Sequence, residues 1–149
     1  MIRIAFLAAV CVLAAARGAA AESCSISATS VVFGSYNVFN ASPVDTTGSV
    51  VYRCTGNVDA VAITMSRGRS QTFQPRELGK GTEKLTYNLY RDAARTTVWG
   101  DFSAGTWAYI DLSPPNKNDV SVTVYGRIPP GQDVTVGTYA DTVTVVVLF

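Results

Sequence analysis

Apolar and polar residues alternate with a period of two along most of the chain beyond residue 22. Val120-Ser121-Val122-Thr123-Val124-Tyr125 alternates strictly, which predicts a strand with its valines on one face and Ser121, Thr123 and Tyr125 on the other. Leu85, Tyr87 and Leu89 share a face in the same way. Ile26 to Phe33 is apolar and β-branched, Val50 to Cys54 follows the turn Asp45-Thr46-Thr47-Gly48, and Val61 to Met65 follows Gly56-Asn57. Gly, Pro, Asn or Asp bounds each run, as turn chemistry requires. No segment places apolar residues at i, i+3, i+4 and i+7 over three turns; Ala93-Ala94-Arg95 is one helical turn at most. The pattern predicts an all-β, antiparallel sandwich.

Two stretches fall outside the alternation. Phe102 to Asn118, with Gly105, Pro114 and Pro115, predicts a long hairpin or an irregular crossing. Gly126 to Gly131 includes Pro129 and Pro130, which lack ladder donors, so it reads as a connector rather than a central strand. Beyond it, Tyr139 to Phe149 is the longest strand candidate. Tyr139, Asp141, Val143, Val145, Val147 and Phe149 fall on one face, and the run ends apolar on both sides at Val146-Val147-Leu148-Phe149. Two readings account for that ending. One is a central strand buried on both faces. The other is a fold that lacks its final strand, with this edge reserved for another chain, because a naked apolar edge aggregates unless something covers it.

The first residues change the picture by pointing to export. Arg3 precedes 13 apolar residues, Ile4 to Ala16, and Ala19-Ala20-Ala21 offers small residues for cleavage before Glu22. Such a helix spans about 20 Å, short of a hydrocarbon core of about 30 Å. Residues 1–21 are therefore expected to be a signal peptide and 22–149 a single domain. Cys11 leaves with the signal. Cys24 and Cys54 remain, and an even pair in an exported chain points to a disulfide.

Composition removes whole classes of chemistry. The chain has no histidine, so a Ser-His-Asp triad, a Cys-His dyad and a His-ligated metal are excluded. A formal charge of +1 argues against a nucleic-acid partner, which needs a basic patch. Asp92, Asp101 and Asp111 are too scattered for a calcium site. No enzyme activity, cofactor, metal or small-molecule substrate is expected. Arg67-Gly68-Arg69 reads as a solvated hairpin tip. Arg91, Asp92 and Arg95 read as a surface ion pair, Trp99 as core, and Trp107 as the more open tryptophan.

Three separated blocks resemble the spore coat protein U domain family, which includes subunits of archaic, Csu-type chaperone–usher pili. They are Cys24-Ser25-Ile26-Ser27 with Val32-Phe33-Gly34-Ser35-Tyr36; Tyr87 through Asp101; and Val124 to Pro129 with Gly137 to Val145. The resemblance implies an immunoglobulin-like sandwich missing its last strand, with a Cys24–Cys54 disulfide between the first two strands. It implies a periplasmic chaperone that lends a strand, an outer-membrane usher, and other pilus or coat subunits as partners, with delivery through the periplasm to the cell surface. Donor-strand complementation of this kind is β-augmentation. Ile26, Val31 and Phe33 would line one side of the acceptor groove, and Val143, Val145, Val147 and Phe149 the other. Only Glu22 and Ser23 precede Cys24 after the signal, so the expectation is a subunit that accepts a strand without donating one, at a tip or chain end. The alternative is a free carbohydrate-binding or adhesin-like sandwich using Trp107 and Tyr109.

Overall fold

The computed structural model describes residues 21–149. The expected signal segment, Ala21 apart, lies outside the described residues. Eight strands follow in order: β1 (Ser23–Ala28), β2 (Val44–Thr55), β3 (Val61–Met65), β4 (Arg76–Lys80), β5 (Glu83–Tyr90), β6 (Tyr109–Asp111), β7 (Asp119–Ile128) and β8 (Val145–Leu148). They build a five-stranded sheet in the order β1-β2-β7-β5-β4 and a three-stranded sheet in the order β6-β3-β8. Every strand pairing is antiparallel. The described residues contain no helix.

Alternation sets the layers. Val50, Tyr52 and Cys54 of β2, Val124 and Ile128 of β7, and Leu85, Tyr87 and Leu89 of β5 are buried on the inner face of the larger sheet. They meet Val61, Ile63 and Met65 from β3. Side chains on successive strand residues point to opposite faces, so Ser121, Thr123 and Tyr125 turn outward as their alternation predicts. Trp99 is fully buried between the layers, and its indole N–H donates to the Ile63 carbonyl at 2.8 Å.

A second pillar is Arg76, with 0% of its surface exposed. Its guanidinium donates to the Ser66 carbonyl through two nitrogens (3.0 and 2.8 Å), to Asn88 Oδ1 (2.8 Å) and to the Trp99 carbonyl (2.7 Å). It also lies over the Phe73 ring at 5.2 Å. Burial lowers the guanidinium pKa, yet arginine stays protonated in proteins. One side chain thus joins β4 and β5 of one sheet to the end of β3 in the other.

The predicted turn Asp45-Thr46-Thr47-Gly48 is instead strand, inside β2 and paired with β7, and three further expectations need correction. First, β7 continues through Gly126-Arg127-Ile128, paired with β2 and with β5. The prolines begin one residue later, so they stop the strand rather than exclude it. Second, the first strand stops at Ala28. In β1 the even residues Cys24 and Ile26 turn inward, whereas Val31 and Phe33 do so beyond Thr29-Ser30. A period of two cannot place Ile26 and Val31 on one face without a break. Third, only Val145–Leu148 of the expected 139–149 strand pairs with β3. Ala140 bonds instead to Gly79 of β4, so the chain crosses here from one sheet to the other.

Beyond β1, residues 29–36 cross the inner face of the larger sheet. Val31 and Phe33 lie over Gly126, where an added Cβ would meet Val31 Cγ1 and Phe33 Cζ, both at 2.9 Å. Gly126→Val is therefore expected to cost about 1–3 kcal/mol by overpacking, read as a lowered urea midpoint with an unchanged slope.

Candidate functional site

Strands β1 and β8 come from different sheets, yet their Cα atoms approach within 8 Å. Among the described residues, β1 pairs only with β2, and β8 only with β3. Each therefore presents a free edge to the same side of the sandwich, with backbone N–H and C=O groups lacking a ladder partner.

Two adjoining clefts open beside those edges, between the segment that follows β1 and the segment that precedes β8. The first, about 370 Å³, has Ala28 to Val31 and Phe33 on one wall and Asp141, Thr142, Val143 and Val145 on the other. Its floor is core: Val50, Met65, Leu78, Tyr87, Leu89 and Val124. The second, about 820 Å³, continues between Val31–Phe39 and Val134–Asp141. Together they make one long, mainly apolar groove walled by two extended segments. Phe39 (92% exposed) and Val136 (99% exposed) stand at its far end.

The seven residues expected to line a groove divide here. Val31, Phe33, Val143 and Val145 face one another across the first cleft. Ile26 opposes Tyr52 in the β1–β2 ladder, and Val147 opposes Ile63 in the β3–β8 ladder. Both pack against the core outside the clefts. Phe149 lies past the end of β8, 56% exposed. The inward face of the last segment is the odd one, Val143, Val145 and Val147, with Val146 and Leu148 exposed. Met65 and Leu89 reach the floor from predicted strands, whereas Leu78 contributes floor that no local pattern singled out.

Polar clamps hold the walls. The Tyr36 hydroxyl donates to the Pro129 carbonyl (3.2 Å) and accepts from the Gln132 amide (2.8 Å). Gln132 then imitates a strand neighbour: its Oε1 accepts from the Thr86 amide at 2.7 Å and its Nε2 donates to the Thr86 carbonyl at 2.9 Å. The Thr135 and Tyr139 hydroxyls donate to Glu83, and these bonds hold its carboxyl down to about 2. Lys80 donates to the Val136 carbonyl at 2.8 Å. The β1 wall is tethered by the Cys24–Cys54 disulfide, joining residues directly opposed in the β1–β2 ladder.

The remaining candidates take structural places. Arg67 and Arg69 are exposed as expected, but at a turn between the two sheets and not at a hairpin tip, because β3 pairs with β6 and β8 while β4 pairs with β5. Asp92 does not form the expected ion pair with its flanking arginines; it caps the turn by accepting from the Thr96 (3.0 Å) and Thr97 (2.7 Å) amides. Arg95 reaches Asp45 instead, at 3.4 Å. Burial opposes ionisation of Asp92, but the Thr96 and Thr97 donors outweigh it and hold the carboxyl at about 2 rather than 3.8. A folded-state pKa below the unfolded value stabilises above about pH 4, and that contribution is lost as pH falls through about 2. Asp92→Asn is expected to flatten the acid-unfolding curve between those limits, measured by circular dichroism.

Trp107 is 56% exposed, but the Tyr109 ring packs against Tyr52 and Trp99, 6.2 Å from each. The two loop aromatics thus form no shared sugar-stacking platform. No group of metal-ligating side chains occurs among the described residues. No helix among them is long and apolar enough to cross a membrane.

The Spore Coat Protein U domain matches residues 9–146. The chain belongs to that family. Protein U of Myxococcus xanthus is 34% identical over 106 residues, which cover 71% of this chain and 51% of that protein. The chain thus aligns with about half the length of this relative. Among solved structures, the CsuC–CsuE chaperone–tip adhesion subunit pre-assembly complex, from archaic chaperone–usher Csu pili of Acinetobacter baumannii, matches with a TM-score of 0.60. The identity is 23%, over 87% of this chain and 40% of that one. The structural match agrees with the observed fold, two antiparallel sheets packed as a sandwich.

Proposed function

We propose that this chain is an exported structural subunit of a surface pilus or coat, assembled by donor-strand complementation. The observation that carries the reading is one continuous, mainly apolar groove that starts where the free-edged strands β1 and β8 meet it, at Ala28 and Val145, and runs on between the segment after β1 and the segment before β8. An extended segment laid there would bond both edges through its backbone and send alternate side chains into the clefts. Residues 1–21 serve as the export signal in this reading. A periplasmic chaperone supplies the first strand, and another subunit replaces it at an outer-membrane usher. The pre-assembly complex of the Acinetobacter pilus subunit with its chaperone supports that order of partners. The chemistry is burial and backbone pairing, with no catalytic step.

The test is refolding of the mature chain alone and with an alternating apolar peptide or a co-expressed chaperone. The reading expects aggregation or a broad unfolding transition alone, and a soluble one-to-one complex with a cooperative transition when a strand is supplied. A stable, cooperative monomer indifferent to added strands contradicts it.

A further inference from the structure

Asp141 is the one charged residue among those lining either cleft. It sits where the clefts join, with Val31, Phe33 and Leu78 common to both. The residue is half-buried. Its Oδ2 accepts from the Tyr87 hydroxyl at 2.7 Å, and its Oδ1 accepts from the Arg69 and Thr142 backbone amides, each at 2.8 Å. All three donors are uncharged. A carboxylate offers about four acceptor sites, so one remains on Oδ2.

Among the described residues no Lys or Arg side chain lies within ion-pair distance of Asp141. The nearby guanidinium of Arg76 is committed to the carbonyls of Ser66 and Trp99 and to Asn88. While the groove is open, water screens the carboxylate. A strand filling the groove would strip that water, and an unpaired charge is costly to bury. An apolar occupant would therefore seal the clefts but work against Asp141.

Resting on the strand-acceptor reading, we propose that the incoming strand carries a lysine or arginine at the inward position facing Asp141, with large apolar residues two positions away on each side. Inward positions recur every second residue along a strand. The flanking apolar side chains enter the two clefts, and the cation between them completes the carboxylate's bonding with a charge-assisted hydrogen bond. Asp141 then sets the register of the donor, because a two-residue slip would bring an apolar side chain to the carboxylate and the cation into a cleft.

Three otherwise identical alternating peptides with Lys, Leu or Glu at the central inward position test this, bound to the refolded mature chain and compared by competition. The Lys peptide is expected to bind about tenfold tighter than the Leu peptide and about a hundredfold tighter than the Glu peptide, with its advantage over Leu shrinking as salt is raised. In Asp141→Asn the Lys and Leu peptides should become equivalent. The ranking on the unsubstituted chain stands even where that variant folds poorly. Leu binding as well as or better than Lys overturns the proposal while leaving the acceptor reading intact. Failure of all three peptides to bind overturns both.

Discussion

Arg76→Met is expected to lower the unfolding free energy by about 3 kcal/mol, among the largest effects of any single substitution in this chain. Methionine roughly matches the length of the arginine stem and keeps its packing against Phe73. It supplies no donor, however. The Ser66 and Trp99 carbonyls and Asn88 Oδ1 would lose bonds of 2.7–3.0 Å. Each stranded buried acceptor costs about 1–3 kcal/mol, and removing the buried charge returns part of that sum. Arg76→Lys should recover less than half of the loss, because one ammonium cannot reproduce a planar fork reaching acceptors on three segments. Urea unfolding of the strand-supplied complex, followed by the fluorescence of buried Trp99, measures both variants. Equal midpoints for Arg76→Met and the unsubstituted chain would remove the two-sheet pillar from the account.

Removing the disulfide is the second large effect. The Cys24→Ala, Cys54→Ala double variant is expected to lose about 3.7 kcal/mol, the chain-entropy value for the loop between residues 24 and 54. The consequence should be local as well as global. Strand β1 has one ladder neighbour, β2, and the disulfide joins them directly. Val31 and Phe33 continue from β1 into the groove wall. Untethered, β1 would fray first and take that wall with it. Affinity for a supplied strand should therefore fall along with stability, by tenfold or more on the order of one partly disordered wall. A variant that loses stability yet binds a strand at full affinity would show that the β1 wall is held by its side-chain clamps alone.

Strand content and facing were legible because alternation reports burial directly. Val120 to Tyr125 and Leu85 to Leu89 needed no tertiary information, whereas Trp99 as core rested on its place in the block that resembles the family. The breaks were not legible. The shift between Ile26 and Val31 is visible as an odd spacing, but the site of the break at Thr29-Ser30 depends on the crossing over Gly126. The last strand reads as one run over 139–149, yet Asp141 bonds to Tyr87 and Arg69, and Ala140 to Gly79, so its first half follows a different sheet. Arg76 carried no local signal at all: in Gln74-Pro75-Arg76-Glu77 it looks like a surface turn, and only the convergence of three acceptors from distant segments explains its burial. The same limit applied to the groove. Its wall residues were named only through the family resemblance, while its floor at Leu78 and the placing of Ile26, Val147 and Phe149 outside the clefts required the sheet registers.

Amide hydrogen exchange at β8, with and without a supplied strand, reaches the central claim most directly. Pairing with β3 leaves the opposite edge of β8 open, so the Val145–Leu148 segment contains amides that bond β3 and amides that face solvent. A strand entering the groove should slow exchange of the solvent-facing amides at least a hundredfold, together with amides of residues 30–33 on the opposite wall, and leave the outer strand β6 far less changed. Protection at neither wall, in a complex shown to have formed, would mean that the partner binds elsewhere and that the open edges are not the acceptor site.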